Sequence, residues 1–336
     1  MMEAFITVPI FLLSVLATFG VKRVAIRTQL LALPTERSSH HVTTPVGGGL
    51  AIVLAYLLGI AYSWFSATLA PPEVQALLAA LPVALIGLID DRGHVDFRIR
   101  LLVQALGAIY VLVLLGALPP IRIASMNFEL GVWGWLLVPL ALLWLTNLYN
   151  FMDGIDGLAG AETCFVAASA ALLLLINGDR ALALLCLCLF AGAAGFLTLN
   201  WPPARIFMGD VGSGFTGYTL GLVALLSHYH GTMSLWSWVL LLAVFIVDAT
   251  MTLVRRVLAG QRWYHAHRTH AYQRAARKYH SHEAVSLCVL SINVTWLLPL
   301  AFLAGKHPEY GVYLTIVGIV PLVVLAGIFR AGRESS

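Results

Sequence analysis

Apolar runs of membrane-spanning length alternate with short polar breaks from one end of the chain to the other. They predict helices near 4–21, 46–66, 74–89, 99–118, 132–149, 158–176, 181–199, 212–228, 235–254, 284–304 and 311–329. A spanning helix needs about 20 predominantly apolar residues, so the 336 residues leave little for a soluble domain. The run 46–66 opens on Gly47-Gly48-Gly49, which weakens a helix but admits close backbone approach, so this span is expected to begin as a loop. Acidic Glu3 precedes the first apolar run, and Lys22, Arg23 and Arg27 follow it. That polarity is the reverse of a cleaved leader, so 4–21 is expected to be a first membrane helix. The predicted fold is all-α and polytopic, a single membrane domain over 1–336 with about eleven transmembrane helices, without internal repeat or linker.

Charge placement tests the span count. With eleven spans, all but three of the 20 Lys and Arg residues fall on one side, the exceptions being Arg122, Arg180 and Lys306. The positive-inside rule then puts the N-terminus outside and the C-terminus in the cytoplasm. The 60% hydrophobic content, against 11% charged, agrees with a bilayer protein, since soluble chains carry about a quarter charged residues. A net charge of +4 without a basic, aromatic-interleaved block excludes nucleic acid as a partner. Cys164, Cys186, Cys188 and Cys288 lie in apolar runs without metal-ligand spacing and read as small buried hydrophobes.

The remaining polar residues gather on the predicted cytoplasmic side. Asp90-Asp91 closes the third span, where carboxylates are costly unless solvated, paired or facing a cation. Asn147, Asn150, Asp153 and Asp156 recur every three positions at the end of the fifth. Such a stripe drifts by about 60° per step on a helix, so a regular helix cannot aim all four at one ligand. Gly154 and Gly157 offer a break that re-aims them. The alternative is that Asp153 or Asp156 caps the next helix. Asp210 lies in the turn Gly209-Asp-Val-Gly212-Ser213-Gly214, weak as a phosphate loop but suitable as an oxygen ligand beside Asn150, since Mg²⁺ takes one or two protein oxygens and completes its shell with phosphates and water. Arg262, His265, His267, Arg268, His270, Arg274 and Arg277 form a loop suited to phosphate oxygens. Zinc and a plain positive-inside loop are its other readings. Asp248, inside the ninth span, reads as a buried structural group or a lipid-phosphate contact. At the bilayer midplane it would favour an ion-coupled transporter.

Taken in order, Arg37-Ser-Ser-His40 with Pro45-Val-Gly-Gly-Gly49, Asp90-Asp91, Asn147-x-x-Asn150-x-x-Asp153-Gly-x-Asp156-Gly, Pro203-Ala-Arg205-x-Phe-Met-Gly-Asp210-x-Gly-Ser213 and His265-x-His267-Arg-x-His270 resemble the polyprenyl-phosphate N-acetylhexosamine-1-phosphate transferases. The resemblance implies transfer of an N-acetyl amino sugar-1-phosphate from a UDP-sugar to undecaprenyl phosphate, with release of UMP, at the cytoplasmic face of the bacterial inner membrane. The closest likeness is to enzymes that initiate O-antigen synthesis. It implies Mg²⁺ as cofactor, with Mn²⁺ as a substitute, held at Asn150 and Asp210. Catalytic roles are implied for Asp90, Asp91, Asp153 and Asp156. Substrate contacts are implied at Arg37, His40, His41, Asn147, Arg205, His265, His267, Arg268 and His270. The implied partners are undecaprenyl phosphate, a UDP-N-acetyl amino sugar and the lipid bilayer, with homodimerisation as a further expectation. His41-Val42 stands where many relatives place a lysine.

Overall fold

A computed structural model describes residues 2–33, 42–116, 118–124, 126–261 and 267–333. Arg37, His40, His41, Arg262 and His265 lie outside the described residues. Every predicted span has a helical counterpart: α1 (Met2–Arg27), α2 (Leu50–Phe65), α3 (Pro71–Leu78) continuing into α4 (Ala80–Arg92), α5 (Phe97–Leu115), α6 (Gly134–Met152), α7 (Leu158–Ile176), α8 (Arg180–Asn200), α9 (Asp210–Tyr229), α10 (Leu235–Leu241) followed by α11 (Ala243–Leu258), then α13 (His282–Ile292) running through a π-helical turn into α14 (Leu298–Lys306), and α15 (Gly311–Ile328). A short helix absent from the span list, α12 (Ala271–Tyr279), precedes α13. The only β structure among the described residues is two small antiparallel ribbons, Leu31–Ala32 with Thr44–Pro45 and Ile121–Ile123 with Met126–Phe128.

By length and composition, 8 of the described helices can cross a membrane, and the pair α10 and α11, bent by 75°, can form a ninth span. The protein is thus a multi-pass membrane protein. Helices α2 and α9 differ from the others for physical reasons. The first has 16 residues because Gly47 to Gly49 form the turn that precedes it, as the glycine run predicted. The second is buried continuously from Val211 to Ser227, so its Gly, Ser and Thr residues face protein rather than lipid. Outer helices instead expose large apolar side chains, such as Leu16 on α1, Leu106 on α5 and Val324 on α15. In water such a surface would be an aggregation hazard; in a bilayer it is the solvated face.

Glycines bring the backbone of the bundle to α9. A Cβ on Gly87 of α4 would lie 2.5 Å from the Asp210 carbonyl oxygen, and one on Gly49 would lie 2.2 Å from the Gly212 Cα. Backbone hydrogen bonds join the two segments, from Gly48 N–H to Phe207 O and from Gly49 N–H to Met208 O, both 2.9 Å. On the α6 side, a Cβ on Gly217 would lie 2.6 Å from the Leu145 carbonyl oxygen. Small residues at helix contacts are how membrane bundles gain close packing when lipid supplies no hydrophobic drive between helices. Here they set the ends of α4, α6 and α9 side by side.

At the opposite end of α9 a second polar knot ties three elements. His230 gives one ring nitrogen to Glu73 of α3 and the other to Asp179 before α8, both at 2.8 Å. Asp179 also caps α8 through Leu182 N–H and accepts from the Thr232 hydroxyl. The Asp179 hydrogen bond raises the His230 imidazole to about 9, against the effect of burial and with help from Glu73. Because the folded value lies above the unfolded one of about 6.5, this knot stabilises fully below that pH and is lost as pH rises through about 9. His230→Gln is therefore expected to lower the melting temperature of the detergent-solubilised protein at about pH 6, with the difference from wild type shrinking toward zero by about pH 10. An undiminished difference across that range would rule the charged knot out.

Candidate functional site

The break after α6 comes where Gly154 and Gly157 predicted it. Helix α6 stops at Met152, and Gly157 takes φ +77° before α7 begins. Neither aspartate caps α7, whose N-cap is Gly157 without a side-chain bond. The capping alternative is thereby set aside. The turn is pinned from outside, because the Tyr272 hydroxyl donates to Phe151 O at 2.9 Å. A Cβ on Gly154 would lie 2.1 Å from that hydroxyl oxygen.

The two adjacent aspartates of α4 take different hydrogen-bond partners. Asp91 accepts from the backbone N–H of Asp210 at 2.8 Å and of Val211 at 3.1 Å. It thus caps α9 from another helix, and the first N–H groups of α9 are used by protein rather than left for phosphate. Asp90 accepts from Val95 N–H at 2.7 Å and pairs with Arg100. The same Arg100 nitrogen reaches Asp210 Oδ2 at 2.5 Å. Asp210 Oδ1 in turn accepts from the Asn150 amide nitrogen at 2.8 Å, and that amide also donates to the Ser213 hydroxyl at 3.1 Å. Charge-assisted bonds of this kind contribute about 1.5–3 kcal/mol each where partly buried. The Asn150 amide oxygen keeps no donor among the described residues.

Asp153 is the unbalanced member. Its carboxylate is half-buried and has no hydrogen-bond partner among the described residues. Burial first, then the charges of Asp210, Asp91 and Asp156, push it well above the usual carboxylate range. Of the four carboxylates Asp90, Asp91, Asp153 and Asp210, only Asp90 and Asp210 pair with a guanidinium, that of Arg100, which leaves an excess of negative charge that a cation would relieve. The donors are all oxygens, as Mg²⁺ requires. Among the described residues no three His, Cys, Asp or Glu side chains close around one point.

The other predicted residues divide. Asn147 donates to Gln104 Oε1 at 3.0 Å and to Leu143 O, and it lines a small cleft with Arg100, Asn150 and Asp210. Asp156 turns from the cluster: its carboxylate accepts from Ala204 N–H at 3.0 Å and faces His282 of α13 at 3.5 Å. Arg205 and Arg268 are exposed, and no carboxylate among the described residues pairs with either. His267 stacks on His270 with ring centroids 5.0 Å apart, and burial, then His270 and Arg256, lower it to about 3, so its ring is neutral. His270, expected as a substrate contact, is only 2% exposed. Its Nδ1 faces Asp248 Oδ1 at 3.2 Å. Asp248 also accepts the N–H groups of Ala271 and Tyr272, both at 2.9 Å, and so caps α12. This settles the open reading of Asp248 as a structural group. His270 braces the loop instead of lining it. Residues after α15 close over the same loop, with Gly332 N–H donating to Thr269 O at 2.8 Å.

Arg100 and Gln104 were missed in the sequence. The signal for Arg100 was a cation just inside an apolar run, ten residues after Asp90, which the positive-inside count absorbed as a loop charge. Gln104 had a fainter one, a lone amide one helical turn further on.

Comparison with known proteins finds similarity over the segment that carries this cluster. The glycosyl transferase family 4 model matches residues 74–228, which carry Asp90, Asp91, Asn150, Asp153 and Asp210. A probable undecaprenyl-phosphate N-acetylglucosaminyl 1-phosphate transferase of Bacillus subtilis (strain 168) is 29% identical over 315 residues, covering 91% of this chain and 86% of that protein. The undecaprenyl-phosphate alpha-N-acetylglucosaminyl 1-phosphate transferases of Yersinia pestis and Escherichia coli (strain K12) are each 28% identical, covering 78% and 79% of this chain and 74% of each relative. With the ordered motifs gathered around the mouth of α9 and relatives alike over most of their length, the chain is similar to the undecaprenyl-phosphate N-acetylglucosaminyl 1-phosphate transferases and, over residues 74–228, to glycosyl transferase family 4.

Proposed function

We propose that the protein transfers N-acetylglucosamine 1-phosphate, or that of a related N-acetyl amino sugar, from its UDP donor to undecaprenyl phosphate, releasing UMP. The reaction takes place at the cytoplasmic face of the bacterial inner membrane and initiates O-antigen or a related cell-surface polysaccharide. The observation that carries this reading is the cluster of Asp91, Asp153 and Asp210 with Asn150 and Arg100 at the mouth of α9, in which Asp153 has no donor. The names of the relatives support N-acetylglucosamine as the first sugar to test.

An oxygen of the lipid phosphate attacks the phosphorus that bears the sugar, a new P–O–P bond forms, and the bond to UMP breaks. The acceptor is already an anion, so no protein base is required, and charge neutralisation with alignment can supply most of the catalysis. Asn150 and Asp210 would hold Mg²⁺, or Mn²⁺ in its place, with Asp153 adjoining, and the metal would neutralise the diphosphate. Asp91 fixes Asp210 through its two backbone bonds. Arg100, held between Asp90 and Asp210, offers its guanidinium to an entering phosphate. Arg205 and Arg268 offer exposed guanidinium groups to the diphosphate, and the neutral ring of His267 offers a face or a hydrogen bond to the sugar. Asp156 and His270 act at one remove, by holding the 201–205 turn and α12.

Purified protein given undecaprenyl phosphate, Mg²⁺ and UDP-N-acetylglucosamine is expected to release UMP, and chelation of the metal should stop it. If no UDP-N-acetyl sugar gives UMP under these conditions, the reading fails. Asp153→Asn separates function from folding. Removing a repelled charge should hold or raise the melting temperature, while turnover falls by at least ~10²-fold, the scale on which single charge-stabilising groups act. Near wild-type turnover in this variant would remove Asp153 from the machinery.

A further inference from the structure

A second concavity lies away from the carboxylates. Helices α11, α12, α13 and α15 enclose a cavity of about 420 Å³ walled by Val247, Val285, Val289, Leu322 and Ala326. Tyr279 and Phe329 also line it. The Lys278 ammonium stands over both rings, 5.4 Å and 5.8 Å from their centroids. Cys288 and Leu325, also on its lining, are exposed on the outer surface, so the cavity opens sideways toward lipid.

Cations gather beside this opening, while the carboxylate on its inner lining, Asp248, is taken up by His270 and the N–H groups of α12. Among the described residues, Arg274, Arg277, Lys278 and Arg330 form no ion pair with a carboxylate. Burial, followed by Arg330, lowers the Arg274 guanidinium from its usual range, and burial, followed by Arg268 and Arg274, does the same to Arg277. Crowded cations over an apolar slot with an aromatic lip match an amphiphile with an anionic head and an apolar tail. The lipid acceptor of the proposed reaction is a poor match, because its phosphate must reach Asp210. The cleft that holds Arg100, Asn147, Asn150 and Asp210 is built by α4, α5, α6 and α9 instead. Between the two stands the knot of Asp248, His270 and Tyr272, whose polar atoms are already used.

We propose that this cavity binds one acyl chain of an anionic glycerophospholipid, with the lipid phosphate held by Lys278 and Arg330. The inner wall of the cavity includes Tyr272, whose hydroxyl pins the carbonyl of Phe151 just before Asp153. A seated chain therefore buttresses α12 and, through it, the Asp153 turn. The binding does not depend on which reaction the carboxylates perform.

The test is lipid retention by the full chain in detergent micelles, read by native mass spectrometry during titration with phosphatidylglycerol or with phosphatidylcholine of the same chains. Two cations near an anionic head should favour phosphatidylglycerol by about tenfold or more. Lys278→Gln combined with Arg330→Gln should reduce it to the phosphatidylcholine level. Ala326→Phe, which fills the cavity from α15, should weaken both lipids alike, with the melting temperature read alongside. If that variant does not fold, Ala275→Leu fills the cavity from α12. Equal affinity of the wild type for the two lipids would overturn the proposal, as would unchanged phosphatidylglycerol retention in the folded double variant or in a folded cavity-filling one. One-for-one displacement of phosphatidylglycerol by undecaprenyl phosphate would also overturn it, by assigning the cavity to the acceptor.

Discussion

The candidate site depends on one contact, the seat of α4 against the first turn of α9. Gly87 removes the side chain that would strike the Asp210 carbonyl. Asp91, one turn further along α4, then reaches the two free N–H groups of α9. An N-terminal cap is worth about 1 kcal/mol in ordinary helices, but here its larger effect is positional. The cap comes from another span, so the start of α9, and Asp210 with it, moves only if α4 moves. The loop before α2 braces the same turn from the other side through Gly48 and Gly49. Asp210 is therefore held from two sides, by α4 and by the loop before α2, before any ligand arrives.

The excess of carboxylates follows from that frame. In most proteins four acids around one arginine would separate or take up protons. Here Asp90 and Asp210 share Arg100, Asp91 is satisfied by N–H groups, and only Asp153 is left without a donor. Sites that keep an unpaired group inside a packed structure trade stability for function. The knot of His230, Glu73 and Asp179 at the other end of α9 is the contrasting case, with every charged atom paired.

Much of this was legible in the sequence because polar residues are rare in it. In a chain 60% hydrophobic, Asp90, Asp91, Asn150, Asp153 and Asp210 stand out, and Gly154 and Gly157 marked the break correctly. The span list was legible for the same reason. What stayed hidden required knowing which elements touch. Periodicity does not tell that Asp248 caps α12 across 23 residues of sequence or that His270 is consumed in holding it. Nor does it tell that Asp156 holds the turn at Ala204 rather than joining the cluster. Arg100 was hidden by a rule that was otherwise right: it counted as one more basic residue at a helix end, while its value lies in the two carboxylates it bridges.

The glycine contacts of α9 also limit how such a protein can diversify. At Gly49, Gly87, Gly212 and Gly217 any side chain would meet backbone of the facing segment or a packed side chain behind it, so substitutions there dislocate the carboxylates along with the helix. Arg205, His267 and Arg268, by contrast, stand on connecting segments where a change costs the bundle little. A lineage with this architecture can rewrite its connecting segments at little cost to the bundle, while its innermost helix stays nearly immutable.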